Sequence, residues 1–274
     1  MINLTEGRKG FETISNYSIS EKVTLENIII ADVPCAWVIP DEIVGNDIVI
    51  YIHGGAFIYG SINSHAPMVS YIASQLKKKV LMIDYRLAPE YPFPAGIDDC
   101  VAVINFLHKN NSNFSFGIIA DSAGGNIAMS TNLQLNETNG PKPMYTVVIS
   151  PWVDLECKNP SYERNQLTDT ILAKEYLIEA TKLYAPDQDL SAPFLSPVHG
   201  SFKNQSPILI LCGTNEILED DSINLHQQLL NQNIEAELIL FENELHVWPF
   251  MEIDTEASKK ALLRIADFVE KYSV

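Results

Sequence analysis

The chain is short of positive charge. Among its 274 residues, 18 are Lys or Arg against 35 Asp or Glu, a formal net charge of −17. Nucleic acids and anionic membrane surfaces bind where positive charge is concentrated, so neither is expected as a partner. The longest basic run, Lys77 to Lys79, reads as a solvated helix end. Cysteine is scarce and dispersed. Cys35, Cys100, Cys157 and Cys212 show no CxxC spacing, which argues against a zinc site and a disulfide framework and leaves reduced, mostly buried thiols. No window approaches the roughly 18 apolar residues of a membrane span, and the opening MINLTEGRKG lacks the apolar stretch of an export signal. A cytoplasmic protein without a membrane partner is the expectation. Repeats, low-complexity tracts and Pro/Ser-rich linkers are missing too, so nothing divides the chain.

What is present supports a core, because 46% of the residues are apolar. Single cores stop growing at roughly 250 to 300 residues, so this length suits one large domain or two small ones. Residues 21–30 and 34–40 read as an antiparallel opening pair, with Asp32 and Pro34 marking the turn. Short runs rich in Ile, Val and Leu follow at 47–52, 80–85, 116–120, 145–150, 208–212 and 236–241. Continuous apolarity without alternation suits strands buried on both faces. Helical patterns lie between them, at about 64–77, 95–109, 123–135, 219–231 and 254–271. Alternating strands and helices predict a mainly parallel sheet covered on both sides. Residues 153–206, with a helical stretch near 169–184, are too long for a simple crossover. They read as an insertion over the strand ends, where ligands bind in such folds.

The run FGIIADSAGGN sets Ser122 between a buried strand and a helix opening at Ala123, Gly124 and Gly125. A serine there sits on a sharp turn with its hydroxyl exposed above the positive end of the helix. This is the nucleophile elbow G-x-S-x-G, with Ala120 in place of the first glycine. A second constellation, HGGAF at 53–57, follows the strand DIVIYI. Acyl transfer needs backbone N–H donors aimed at the oxygen that gains charge, and side-chain-poor residues let that backbone approach. Gly54, Gly55 and Ala56 meet this need, with Ala123 as the donor that follows the nucleophile. His53 anchors the loop rather than moving protons.

A serine hydroxyl needs a base, and the base an orienting acid, in the chain order Ser, acid, His. Of the histidines after Ser122, His226 lies in a helical pattern and His199 in the insertion, whereas His246 follows the last strand in the loop ENELHVWPF. His246 is the base these positions favour. The loop CGTNEILEDDS offers Glu216, Glu219, Asp220 and Asp221 as acids. Glu216 lies nearest the strand end; Asp220 is the reserve, and Asp154 a third candidate.

Together, HGGAF, DYRLAPE, YPFPAGIDD, ADSAGGN, SPWVDL, GTNEILEDDS and HVW resemble the hormone-sensitive-lipase-like branch of the α/β-hydrolases. The resemblance spans about residues 47–250 in family order. It implies a mostly parallel eight-stranded sheet with helices on both faces, and a single domain over 1–274 with a small cap-like insertion at about 153–206. It also implies a serine hydrolase of carboxylic esters, with short-chain acyl or acetyl esters as substrates and no metal or organic cofactor. The implied triad is Ser122, Glu216 and His246, with Glu216 where many relatives carry Asp; Gly55, Ala56 and Ala123 are the implied oxyanion donors. Pairing into homodimers is a habit of the family. Asp84 and Arg86 correspond to its structural brace. The short stretch before the oxyanion loop implies a reduced cap and an open acyl pocket. Two alternatives keep the fold: a binding protein without turnover, and a peptidase or thioesterase using the same triad.

Overall fold

The computed structural model describes residues 2–273. Its frame is one eight-stranded sheet in the order β1-β2-β4-β3-β5-β6-β7-β8. Strands β1 (Val23–Ile30) and β2 (Val33–Pro40) form the antiparallel opening pair, turning at Ala31 and Asp32, whose φ angles of 51° and 64° both lie in the left-handed region. Two positive φ values in succession define the tight hairpin turn that matches strand twist. Strand β4 (Val80–Ile83) runs antiparallel to β2; β3 (Ile48–Ile52), β5 (Phe116–Asp121), β6 (Thr146–Ile149), β7 (Ile208–Gly213) and β8 (Ala236–Phe241) are parallel to it and to one another.

Side chains of a strand alternate between faces, so these unbroken apolar runs feed two cores at once. Ile50 and Ile52 of β3 join Ile118 of β5 on one face, beneath α3 (Ala95–Asn110) and α4 (Ser122–Glu137). Val49 and Tyr51 face the other way, against α2 (Ile62–Leu76) and α9 (Glu256–Tyr272). Helix α9 is strongly amphipathic. Ala261, Leu262, Ile265, Phe268 and Val269 form its buried stripe, and Thr255 caps its start by accepting the Ser258 N–H. Helix α7 (Glu219–Asn231) covers β7 through Leu225 and Leu229.

Residues 153–206 carry α5 (Ser161–Arg164), α6 (Lys174–Tyr184) and a short 3-10 turn. Tyr184 at the end of α6 stacks on Phe57 with centroids 3.8 Å apart, which pins this segment to the loop after β3. Three helices lay outside the expected pattern: α1 (Leu4–Phe11), α5 and α8 (Trp248–Met251). The basic run also needs correction. Lys77 caps α2 from the exposed side, but Lys78 is buried and pairs with buried Asp47 at 2.6 Å. A hydrophobic site takes an ammonium only with a counter-charge, and Asp47 supplies it. All four cysteines are free and buried. Among the described residues no helix is long and apolar enough to cross a membrane.

Candidate active site

Strand β5 runs straight into α4, and the junction fixes the site. Ser122 has φ 51°, a left-handed conformation that costs a non-glycine residue about 1 to 3 kcal/mol and persists only where its surroundings impose it. Its Oγ lies 2.8 Å from His246 Nε2. His246 Nδ1 lies 2.8 Å from Glu216 Oε2. All three side chains are nearly or wholly buried. Each comes from the C-terminal end of a different parallel strand: Ser122 from β5, Glu216 from β7 and His246 from β8.

Glu216 is held on its other oxygen as well. Oε1 accepts from the Gly213 N–H at 2.6 Å, the Ser150 hydroxyl at 2.8 Å and the Cys212 thiol at 3.2 Å. Ser150 also accepts the N–H of Val247 at 3.1 Å, so one hydroxyl joins the acid to the residue after the base. Burial alone would push the His246 pKa down. The hydrogen bond and charge of Glu216, with Asp169 and Asp121 behind them, outweigh burial and raise it above the ordinary histidine value.

The oxyanion candidates divide. The N–H groups of Gly55, Ala56 and Ala123 have no acceptor among the described residues. The Gly54 N–H, expected to serve with them, is instead donated to Asp121 Oδ1 at 3.1 Å. Gly54 therefore leaves the donor set. It must be glycine because a Cβ there would run into the Asp121 carboxylate. The loop bends sharply, with Gly55 at φ 117°, Ala56 at 53° and Phe57 at 66°, and the Gly55 carbonyl accepts the Tyr59 N–H at 2.8 Å. Asp121 also accepts the Tyr51 hydroxyl at 2.6 Å and faces His65 Nε2 at 3.5 Å. Burial opposes its ionisation, but His65 and Tyr51 prevail and hold it below the usual carboxylate range. His53 is an anchor: its Nδ1 meets the Gly54 carbonyl at 2.8 Å, its ring stacks on Tyr85, and burial, with His65 nearby, lowers its pKa to about 3.

The remaining acids lie elsewhere. Asp220 pairs with Arg164 at 2.7 Å and accepts the Ser161 N–H. Asp154 stands beside Glu156 and His199 and does not line the cavity at Ser122. His226 is half-buried and touches the Ala236 carbonyl. Asp84 and Arg86 brace the frame: Asp84 accepts the Ile62 N–H, and Arg86 pairs with Asp99 at 2.7 Å.

A cavity of about 260 Å³ opens on Ser122 and His246. Phe11 and Ile14 close it from the amino-terminal segment, Ile171, Leu172 and Tyr176 from the insertion, and Phe250 and Met251 from α8. The short amino-terminal stretch thus supplies part of the cavity wall. The insertion that supplies Ile171, Leu172 and Tyr176 was expected over the strand ends, but no sequence pattern singled out the individual wall residues or the contribution of Phe11 and Ile14. Ser150 was visible only as the first residue of SPWVDL.

The alpha/beta hydrolase fold family model matches residues 49–250. An acetyl-hydrolase of Streptomyces hygroscopicus is 32% identical over 213 residues, covering 77% of this chain and 71% of that protein. An esterase of Acinetobacter venetianus is 30% identical over 223 residues, covering 81% and 74%. A crystal structure of an esterase from the bacterial hormone-sensitive lipase family superposes with a TM-score of 0.96 at 29% identity, over 99% of this chain and 92% of that one. The chain belongs to the α/β-hydrolase fold family. Within it, the protein is a carboxylic ester hydrolase of the hormone-sensitive-lipase-like branch.

Proposed function

We propose that this enzyme hydrolyses small neutral esters, acetyl and other short acyl esters foremost, through an acyl-enzyme on Ser122. The observation that carries the proposal is the line Ser122–His246–Glu216, two hydrogen bonds of 2.8 Å ending at an apolar cavity. His246 takes the hydroxyl proton as Ser122 Oγ attacks the ester carbonyl, and Glu216 holds the resulting imidazolium. The carbonyl oxygen, now negative, is met by the free N–H groups of Gly55, Ala56 and Ala123, the last at the positive end of α4. Collapse expels the alcohol with a proton from His246. Water then attacks the acyl-enzyme, giving its proton to the same base, and the carboxylic acid leaves as Ser122 regains its hydrogen.

Size and charge support the substrate class. A cavity of 260 Å³ sits just below the usual range of about 300 to 1,000 Å³ for ligand pockets, which favours short chains. No Lys or Arg lines it, and the chain's net charge of −17 disfavours anionic acyl groups. An ethyl acetate hydrolase of Pseudomonas putida, 26% identical over 237 residues, is among the relatives. Residues 153–206 act as the cap of a single domain spanning the chain, and the four buried free cysteines suit a reducing cytoplasmic setting.

The test compares wild type with Ser122→Ala on p-nitrophenyl acetate, alongside a fluorophosphonate probe. Wild type should turn over and label, and the variant should do neither. Equal rates would sink the mechanism. Folded wild type that neither labels nor turns over would favour a binding protein.

A further inference from the structure

One buried carboxylate in the insertion has a place in neither the proposed triad nor the cavity wall, yet it holds the backbone of the wall and the backbone next to the triad acid. Asp169, only 6% exposed, accepts the N–H groups of Ile171 and Leu172 on Oδ1, each at 2.9 Å. Its Oδ2 accepts the N–H of Ile217 at 2.8 Å. Ile171 and Leu172 line the cavity, and Ile217 is the neighbour of Glu216. Around this contact, Asn165 donates to the Glu216 and Thr214 carbonyls at 2.9 and 3.2 Å, and Thr168 to the Asn215 carbonyl at 3.1 Å.

We infer that Asp169 is a positioning residue that sets the cavity wall and the acid of the triad as one unit. The inference rests on the proposed roles of Glu216 and His246. A carboxylate suits the task because both of its oxygens accept: one gathers the turn entering α6, the other fixes the backbone after the acid. An amide cannot do the same, because its NH2 would face a backbone N–H and leave it stranded in the interior. The charge matters separately. The charged groups bearing on His246 are Glu216, Asp169 and Asp121, all of which favour the imidazolium that forms during the reaction.

Asp169→Asn and Asp169→Glu test this, with each preparation titrated by a fluorophosphonate so that rates refer to competent enzyme. Asp169→Asn should lower kcat by roughly ten- to hundredfold, since each stranded interaction of that size is worth about a factor of ten or more. Its kcat/KM profile should lose activity at a lower pH than wild type, because one negative charge near His246 is gone. Its preference among p-nitrophenyl acetate, butyrate and hexanoate should shift towards the longer esters as the wall loosens. Asp169→Glu keeps the charge, so its pH profile should stay with wild type while the chain-length preference moves. Arg164→Ala controls for loose docking of the insertion. It removes only exposed ion pairs to Glu219 and Asp220 and should change neither profile. Titrated Asp169→Asn with wild-type kcat, pH profile and acyl preference would overturn the inference, as would the same changes in Arg164→Ala. A Ser122→Ala variant that keeps its activity would instead strike the underlying mechanism.

Discussion

Replacing Ser150 with alanine removes one oxygen that touches neither the nucleophile nor the cavity. The hydroxyl donates to Glu216 Oε1 at 2.8 Å and accepts the Val247 N–H at 3.1 Å, and Ser150 is fully buried. Its loss takes a bond to a charged group, worth about 1.5 to 3 kcal/mol, and strands a backbone N–H, which costs about 1 to 3 kcal/mol. Gly213 and Cys212 still donate to the same oxygen, which limits the damage on the acid's side. The net expectation is about 2 to 4 kcal/mol of lost stability, read from urea unfolding. Part of that loss should reach the proposed reaction, because Glu216 orients the imidazole through Nδ1 and Ser150 holds both the Glu216 carboxylate and the Val247 backbone. A fall in kcat of about ten- to hundredfold follows, with KM little changed, since Ser150 does not line the cavity. Ser150 also has φ 49°, so Ser150→Gly relaxes the backbone while lacking the hydroxyl. If the hydroxyl is what counts, Gly and Ala variants should be equally slow on p-nitrophenyl acetate. Wild-type kcat and an unchanged urea midpoint in Ser150→Ala, or full recovery in Ser150→Gly, would refute the reasoning.

The raised pKa of His246 should show directly in rate profiles: kcat/KM falls as pH drops through a midpoint above the ordinary histidine value of about 6.5, because the imidazolium cannot accept the Ser122 proton. The same shift has the opposite sense for stability. A base whose pKa is higher folded than unfolded stabilises most at low pH, so the stability advantage of wild type over His246→Gln should shrink as pH rises through the folded value. Lys78→Met leaves Asp47 buried without a partner and should cost about 3 to 5 kcal/mol in urea unfolding, whereas Lys77→Met, whose bridge to Glu42 is exposed, should cost less than about 1 kcal/mol; equal effects would remove the distinction.

The sheet was legible because buried parallel strands need unbroken apolar runs, and those runs match β3 to β8 to within a residue or two at each end. The three residues of the proposed triad, which the structure brings within hydrogen-bond distance, could be picked out for a related reason. Its members hang from strand ends, so Glu216, three residues beyond β7, was separable from Asp220, which lies in the first turn of α7. Other features depend on partners far away in sequence. Helix α1 contains two glycines and buries none of its residues; what fixes it is Arg8, which donates to the Ile58 and Ala88 carbonyls and pairs with Glu90. Lys78 looked like its neighbours because the sequence does not reveal which lysine of a run faces Asp47. The Gly54 N–H was misassigned because a glycine pair does not disclose which amide the Asp121 carboxylate takes.

Much of the cavity wall comes from stretches remote from the strand ends that carry Ser122, Glu216 and His246: Phe11 and Ile14 from one end of the chain, Ile171 to Leu177 from its middle; Phe250 and Met251, just after His246, complete it. Neither of the two remote stretches lies in a strand of the sheet or supplies a reacting group. Under the proposed function, much of the choice of ester is therefore written apart from the residues that cleave it. Substitutions at 11, 14, 171 and 176 can redraw the acyl preference while the chemistry stays intact, and the same two stretches exchanged with a relative would carry that relative's taste with them. Asp169 marks where this freedom ends, since a wall that shifts beyond its reach takes Glu216 with it.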